Sequence, residues 1–203
     1  RGNIMFNRSE TLRYLGYKSE EVDNNTLELI KECEELLKKS ANPRSTYKVF
    51  DLKRIDDDTL DMEVLKIKSK ALCRNLRGCE KVILFAATLG PRVDILLQKY
   101  SKLSASRAVV LQASAASMIE VYIDSMEDEI RENVNKEGFY LRPRFSPGYA
   151  DLSLEYQRDI FKILDLPRRI GATLMDNLIM APSKTVTAFI GLSEEDKNVC
   201  DYE

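Results

Sequence analysis

The stretch KVILFAATLG, from Lys81 to Gly90, is the part of the sequence that decides the fold. Between its ends nearly every residue is apolar, without the alternation of a strand that has one wet face, and such a run is typical of a strand covered on both sides. The Gly90-Pro91 pair can end this strand and open a helix, because proline is tolerated in a first helical turn. We therefore expect Val82 to Ala87 to form an inner strand of a sheet.

Two helices are predicted before this strand. Asn7 and Glu10, three residues apart, can cap a short first helix, and Gly16 is placed to end it. A second helix is expected from Ser19 to about Lys39, where apolar residues recur at helical spacing and charged residues occupy the other faces. The N-terminal residues are thus expected to contribute helices rather than strands.

The residues from Thr46 to Ile67 have a different pattern, which is typical of strands. The segments YKVFDL and TLDMEVLKIK alternate apolar and polar residues, and an acidic turn at Asp56 to Asp58 joins them. We interpret them as a hairpin or as paired strands. After them, Ser69 can cap a short helix that Gly78 ends.

The central strand is followed by a mostly helical segment from Pro91 to about Glu132, with a joint near Ser101 to Ser104. The second of these two helices carries many small residues, which would let it lie close to a neighbouring helix or sheet. The small residues are Ala105, Ala108, Ala113, Ala115 and Ala116. We expect them to serve tight packing.

The C-terminal part mixes strands and helices. A short strand, FYLRPRF, follows Gly138, and helices are expected from about Ser153 to Leu164 and near Pro167. The segment ATLMDNLIMAPSKTVTAFIGLS has two alternating stretches split at Ala181-Pro182, a pattern of paired strands. This order of elements predicts one α+β domain over residues 1–203, in which helices flank a twisted antiparallel or mixed sheet.

The composition argues against several classes of function. The 203 residues suit one domain, and a net charge of −2 lacks the basic excess that usually accompanies nucleic-acid binding. The chain has no histidine, which removes the commonest general base and most imidazole metal sites. Its apolar runs are too short to span a membrane, and its four cysteines form no CxxC pair. We expect a cytoplasmic protein with no nucleic-acid or membrane partner, no metal site and no catalytic residue of its own.

A second informative stretch is RFSPGY, from Arg144 to Tyr149. A guanidinium beside a Pro-Gly turn can make a bidentate hydrogen bond to a carboxylate or a phosphate, and a tyrosine adds a flat face and a hydroxyl. The alternative is a turn whose charged residue faces water, and the residues alone leave both interpretations open. The same holds for Glu120, which on its own is a carboxylate on a helix surface.

After RFSPGY come a helix and the segment LMDNLIMAPSKTVTAFIGLS. This order resembles the C-terminal activation domain of cobalamin-dependent methionine synthase, whose pattern is Arg-x-x-x-Gly-Tyr, a helix and a Pro-x-x-[Ser/Thr]-Val element. The corresponding residues here are Arg144, Gly148 and Tyr149, followed by Pro182, Thr185 and Val186. ILFAATLG resembles the buried strand of that family, and ASMIEVYID resembles its helix with a ligand-binding glutamate, which falls on Glu120. The resemblance extends over residues 81–193, whereas residues 1–80 carry no clear match.

The resemblance implies a twisted antiparallel sheet with flanking helices and a shallow groove that binds S-adenosylmethionine. It implies that Arg144 binds the methionine carboxylate of this ligand and that Glu120 meets its ammonium group. This assignment matches the opposite charges of the paired groups.

The resemblance also assigns roles to the loop after Arg144. The backbone of Ser146 would hydrogen-bond the ligand, and Pro147 and Gly148 would hold the loop in shape. Tyr149 would lie between the methyl donor and an incoming corrinoid.

The function implied by the resemblance is reactivation of a corrinoid enzyme. The domain would present the sulfonium methyl group of S-adenosylmethionine when inactive cob(II)alamin is reduced and methylated. The cobalamin would be carried by a partner module, either within a longer enzyme or in a methionine synthase that lacks this domain. A flavodoxin-like reductant is a further expected partner.

Two other hypotheses stay open at the level of sequence. The chain would act as a non-catalytic interaction domain if it docked on a corrinoid protein without binding S-adenosylmethionine. An independent methyltransferase would require a Gly-rich loop after a first strand and an acidic residue closing the next strand, and neither is visible.

Overall fold

The computed structural model describes residues 6–17 and 22–195, and their architecture is α+β, as predicted. The helices are α1 (Arg8–Tyr14), α2 (Asn24–Ser40), α3 (Lys70–Asn75), α4 (Pro91–Leu103), α5 (Ala105–Asn135), α6 (Tyr156–Leu164) and α7 (Leu166–Arg169). The strands are β1 (Arg44–Asp51), β2 (Lys53–Arg54), β3 (Thr59–Asp61), β4 (Lys66–Lys68), β5 (Lys81–Thr88), β6 (Tyr140–Leu141), β7 (Thr173–Leu174), β8 (Met180–Ala181) and β9 (Thr185–Ser193).

The main sheet has the strand order β1-β5-β9-β6, and all its neighbouring strands are antiparallel. Strand β5 is an inner strand, as the apolar run predicts, because it pairs along its whole length with β1 on one side and β9 on the other. The side chains from Val82 to Ala87 are fully buried. Burial of both faces explains why residues 82–87 include no polar side chain.

The two faces of β5 belong to two different hydrophobic cores. Ile83 and Phe85 pack with α2, α4 and α5, whereas Val82 and Leu84 pack with α3, α6 and α7. This division follows from the strand, in which successive side chains point to opposite faces. Burial of a side chain as large as Phe85 stabilises the fold by about 1.5–3 kcal/mol. The sheet is therefore the middle layer of the domain.

The predicted pairing of YKVFDL with TLDMEVLKIK is wrong. The first of these segments lies in β1 and pairs with β5 over eight residues, from Arg44 opposite Thr88 to Asp51 opposite Lys81. The second segment forms β3 and β4, which join β2 in a separate small sheet. The acidic turn does close a hairpin, but between β2 and β3. Strand β5 offers a longer buried edge than β3 does, and this non-local partner determines the pairing.

The two alternating stretches near the C-terminus also pair differently from the prediction. The first one folds on itself as the β7-β8 hairpin, and β9 joins the main sheet beside β5. A cis peptide bond between Ala181 and Pro182 lies just before the turn into β9. The strands were thus predicted correctly, while their partners were not.

Local signals mark the ends of several helices correctly. Asn7 caps α1, Ser69 caps α3, and Ser104 joins α4 to α5. Helix α2 begins later than expected, because the side chain of Asp23 accepts the capping hydrogen bond. The predicted start at Ser19 lies outside the described residues.

Helix α5, with 31 residues, is the longest described helix and packs against α1, α2 and α4. Ala113 and Ala115 are buried in this packing, and the Ser117 hydroxyl donates a hydrogen bond to the carbonyl oxygen of Asn7 in front of α1. The small residues thus bring α1 close to α5, as expected. No helix in residues 6–17 or 22–195 combines the length and the apolar character that a membrane span needs.

Candidate ligand-binding site

Arg144 lies on an extended segment at the edge of the main sheet. The backbone N–H groups of Arg142 and Phe145 donate to the carbonyl oxygens of Gly191 and Phe189, which holds this segment along β9. Strict strand alternation would place Arg142 and Arg144, which are two residues apart, on the same side, but residues 142–144 lie outside the regular strand β6 and do not follow it. Arg142 lies near the carbonyl oxygen of Arg77 on one side, whereas Arg144 contacts α5 on the other.

The guanidinium of Arg144 binds three carboxylates of α5 at once. Its Nη2 lies 2.7 Å from Oε2 of Glu120, and its Nη1 lies 2.8 Å from Oδ1 of Asp124 and 2.9 Å from Oε1 of Glu127. The three acids follow one another at intervals of four and three residues, which places them on one side of the helix. We call Arg144 and these three residues the arginine–carboxylate cluster.

The environment of the cluster changes the proton affinity of its members. Partial burial of the guanidinium lowers the pKa of Arg144, but the hydrogen bonds to Asp124 and Glu127 and the charges of Glu127 and Glu120 outweigh this effect and raise the pKa above its ordinary value. Burial raises the pKa of Glu127, although Arg144 partly offsets the rise. Arg144 therefore stays charged, and Glu127 is the acid most sensitive to the loss of this partner.

The cluster retains binding capacity for a ligand. An arginine has five N–H donors. Three of them are used by the acids of α5, while the Nε–H and the second N–H of Nη2 have no partner among residues 6–17 and 22–195. Three carboxylates against one guanidinium also leave an excess of negative charge when all of them are ionised. The site can thus offer two donors to an anionic group and a negative surface to a cationic group.

The loop after Arg144 is fixed by its own backbone. The N–H of Tyr149 donates to the carbonyl oxygen of Ser146, and the N–H of Gly148 donates to that of Leu152. Gly148 has a φ of 89°, a conformation that glycine adopts with little strain. Pro147 is buried beneath the loop. The Pro-Gly turn therefore has a defined shape.

Asp151 attaches this loop to the start of α3. Its carboxylate accepts hydrogen bonds from the Ser69 hydroxyl at 2.5 Å, the Lys70 N–H at 2.7 Å and the Ala71 N–H at 3.1 Å. The bond from Ser69, followed by those from the backbone of Ala71 and Lys70, lowers the pKa of Asp151. The loop and α3 thus share one cap, although they are about eighty residues apart in the sequence.

Tyr149 is the most exposed large side chain of this region. The residue is 73% exposed, and its ring lies edge-on to that of Phe145, with 6.1 Å between the ring centroids. Since Phe145 directly follows Arg144 and bridges to β9, the contact keeps the tyrosine ring beside the sheet edge. Tyr149 is available to a molecule that approaches from solvent.

Sequence reasoning identified part of this arrangement. Glu120 and Arg144 were predicted to lie close together and are in direct contact. Asp124 and Glu127 were missed, although their helical spacing from Glu120 was a usable signal. The hydrogen bonds of Asp151 to the start of α3 were also missed, because no local sequence pattern indicates them. Whether these residues bind a ligand stays a prediction.

The predicted Pro-x-x-Thr-Val element lies away from the edge that holds Arg144. The Thr185 hydroxyl donates to the carbonyl oxygen of Pro182 at 2.7 Å, and it lies 2.9 Å from the hydroxyl oxygen of Thr88. The Pro-x-x-Thr-Val element thus closes a buried turn at the opposite end of β9. Among residues 6–17 and 22–195, no group of three or more cysteine or acidic residues has a geometry that could hold a metal ion.

Comparison with solved structures finds a similar protein. The MetH reactivation domain bound to AdoHcy has a TM-score of 0.67 and 17% sequence identity, and the match covers 92% of this chain and 70% of that one. This share of the chain is larger than residues 81–193 could supply. No family model matches the sequence. No curated protein matches it either. The expected resemblance is therefore confirmed in three dimensions, and the chain has the fold of the MetH reactivation domain.

Proposed function

We propose that the chain binds S-adenosylmethionine at the arginine–carboxylate cluster and supports the reductive methylation of cob(II)alamin in a cobalamin-dependent methionine synthase, as part of that enzyme or in trans. The observation that carries the proposal is the contact between Arg144 and Glu120 at the edge of a sheet with this fold. The similar domain is bound to AdoHcy, the product that remains when S-adenosylmethionine has given up its methyl group.

The charges of the cluster match those of the ligand. S-adenosylmethionine carries a cationic sulfonium, a cationic ammonium group and a carboxylate. The two N–H donors of Arg144 that α5 leaves open would take the carboxylate, and Glu120 would take the ammonium group. Asp124 and Glu127 hold the guanidinium in place before the ligand arrives, which reduces the ordering that binding requires.

The loop would complete the site. The backbone of Ser146 would hydrogen-bond the ligand, while Pro147 and Gly148 maintain the turn that presents it. Tyr149, exposed beside this turn, would cover the methyl donor until the corrinoid approaches. These roles are binding and positioning, so the site requires no acid–base pair.

The corrinoid is expected on a partner module. The chain has no histidine and therefore no imidazole for cobalt. When bound, S-adenosylmethionine supplies a methyl group to cob(I)alamin on that module. The candidate partners are a cobalamin-binding module, a methionine synthase that lacks this domain, and a flavodoxin-like reductant.

A second candidate function is a non-catalytic interaction domain that docks on a corrinoid protein without binding S-adenosylmethionine. The observation that favours it is that three of the five N–H donors of Arg144 are already engaged by acids of its own chain. In this alternative the cluster serves only to fasten the edge segment to α5.

Calorimetric titration with S-adenosylmethionine distinguishes the two functions. We expect wild-type protein to bind, and Arg144→Ala to weaken binding by about 10- to 150-fold, the range for hydrogen bonds to charged groups. Arg144→Lys should restore only part of the affinity, because an ammonium group lacks the planar fork. Glu120→Gln should weaken binding while circular dichroism shows an intact fold.

Arg142→Ala is the matched control, since Arg142 lies on the other side of the same segment. It should change the affinity much less than Arg144→Ala does. Equal effects of the two arginine substitutions, or no binding by wild-type protein at millimolar ligand, would make the interaction domain the better assignment.

A further inference from the structure

A cleft of about 440 Å³ lies on the helical side of the molecule, away from the arginine–carboxylate cluster. It is lined by α1, α4, α5 and Lys184, which directly precedes β9. The edge segment with Arg144 joins β9 at Phe189, five residues later. At about 3.3 Å per residue, this separation is about 16 Å along the strand. The cleft is thus a separate feature.

The cleft exists because the helices present small side chains to each other here. Ala108, Gln112 and Ala116 recur every fourth residue of α5 and lie along its wall, opposite Leu97 of α4. Alanines leave a gap that larger side chains would fill. The volume lies in the range of small-molecule sites, about 300–1,000 Å³. The gap is open to solvent along one side, and it is large enough for a small organic molecule to lie along the helices.

Lys184 gives the cleft one basic group. Its side chain is partly buried, and its ammonium group makes no hydrogen bond or ion pair within residues 6–17 and 22–195. Burial lowers the pKa of Lys184, and the charge of Asp94 offsets this only in part. The carboxylate of Asp94 is already engaged, because it accepts from the N–H of Ser183 at 2.8 Å and from its hydroxyl at 2.6 Å. An anion in the cleft would supply the partner that Lys184 lacks.

We propose that this cleft binds a small organic anion, with a carboxylate, sulfonate or phosphate group at Lys184 and an apolar body against Leu97 and the alanines of α5. The positive charge of Lys184 favours a negatively charged ligand, and the apolar wall favours a ligand with an apolar body. Tyr14 and Gln112 add a hydroxyl and an amide at the same cleft, which can orient a ligand further. None of the residues that line this cleft belongs to the arginine–carboxylate cluster.

Two fluorescent probes with similar aromatic bodies test the proposal. The anionic probe is 8-anilinonaphthalene-1-sulfonate, and the neutral probe is N-phenyl-1-naphthylamine, which lacks the sulfonate. We expect wild-type protein to bind the anionic probe at one saturable site. Lys184→Met should weaken that binding by about tenfold while leaving the neutral probe unchanged, and Lys184→Arg should restore it.

Steric and charge controls complete the experiment. Ala116→Leu fills the cleft from a partly buried position and should abolish binding of both probes. If its circular dichroism differs from wild type, Ala108→Leu replaces it, because Ala108 is also partly buried in the same wall. Lys66→Met, at an exposed lysine on β4, should leave both affinities unchanged. The proposal is overturned if Lys184→Met does not weaken the anionic probe, if it weakens both probes equally, or if wild-type protein shows no saturable binding.

Discussion

Replacing Arg144 with alanine leaves the carboxylates of Glu120, Asp124 and Glu127 facing one another without the guanidinium that they share. The side chain of Glu127 is only 13% exposed, so most of the cost arises there. Water still reaches Arg144, at 29% exposure, and Asp124, at 61%. We therefore expect a loss of about 1.5–3 kcal/mol in the free energy of unfolding, the cost of an unsatisfied charged hydrogen bond, and not the larger cost of a fully buried pair.

Urea unfolding followed by circular dichroism measures this loss, and thermal unfolding gives a second estimate. At about 2–4 °C per kcal/mol for a chain of this length, the Tm should fall by about 3–12 °C. Lys66→Ala is the control, because Lys66 is 73% exposed and lies 3.7 Å from Asp61. Its effect should stay within about 0.5 kcal/mol.

The pH dependence of the loss tests the mechanism. The pKa of Glu127 in the folded state is already raised by burial, and without Arg144 it should rise further. A carboxyl group with a raised folded pKa holds its proton where the unfolded chain has lost it. Its contribution therefore lowers stability as the pH rises through the interval between the two pKa values. The loss of unfolding free energy caused by Arg144→Ala should thus be largest at pH 7 and smaller near pH 4. A deficit no larger than that of Lys66→Ala, or one independent of pH, would refute the reasoning.

Three further predictions concern other parts of the chain. Asp151→Asn should destabilise the protein at pH 7, and this destabilisation should disappear as the pH falls through the lowered folded pKa of Asp151, because a carboxyl group with a lowered pKa stabilises the fold only while it is ionised. Urea unfolding at several pH values measures the difference in unfolding free energy, and a difference that is the same at every pH would contradict the prediction. Gly148→Ala should cost about 1–2 kcal/mol in the same assay, since φ is 89° there, and an unchanged midpoint would argue against the turn. Burial raises the pKa of the Cys33 thiol to about 11, so iodoacetamide at pH 8 should modify Cys33 only after unfolding, as peptide mass spectrometry would show; rapid labelling in the native protein would contradict this.

Local features of the sequence predicted the elements better than their partners. The caps Asn7 and Ser69 bond to residues three positions away, and the apolar run of β5 follows from the burial of both its faces. Both features can therefore be recognised in a short segment of the sequence. The pairing of β1 with β5 depends on competition between distant segments, which alternation alone does not record. The hydrogen bonds of Asp151 to the start of α3 were invisible for the same reason.

The candidate site shows the same division. The motif that contains Arg144 and the helix that contains Glu120 were predicted to meet, and they do. The helical spacing of Asp124 and Glu127 could have indicated a negative surface on α5. It could not have indicated that Arg144 would be its partner, because that contact requires the path of the edge segment along β9.

Helix α5 carries both the cleft and the cluster on one series of positions, spaced four residues apart from Ala108 to Asp124. An α-helix turns 100° per residue, so four residues advance the direction by about 40° beyond a full turn. Over the sixteen residues from Ala108 to Asp124 this amounts to about 160°. The far ends of the two surfaces, Ala108 and Asp124, therefore face nearly opposite directions and lie about 24 Å apart along the axis, whereas the near ends, Ala116 and Glu120, are separated by about 6 Å and about 40°. Molecules bound at the two surfaces would therefore lie on consecutive turns of one helix near Ala116 and Glu120, and a tilt or rotation of α5 would displace both of them at once.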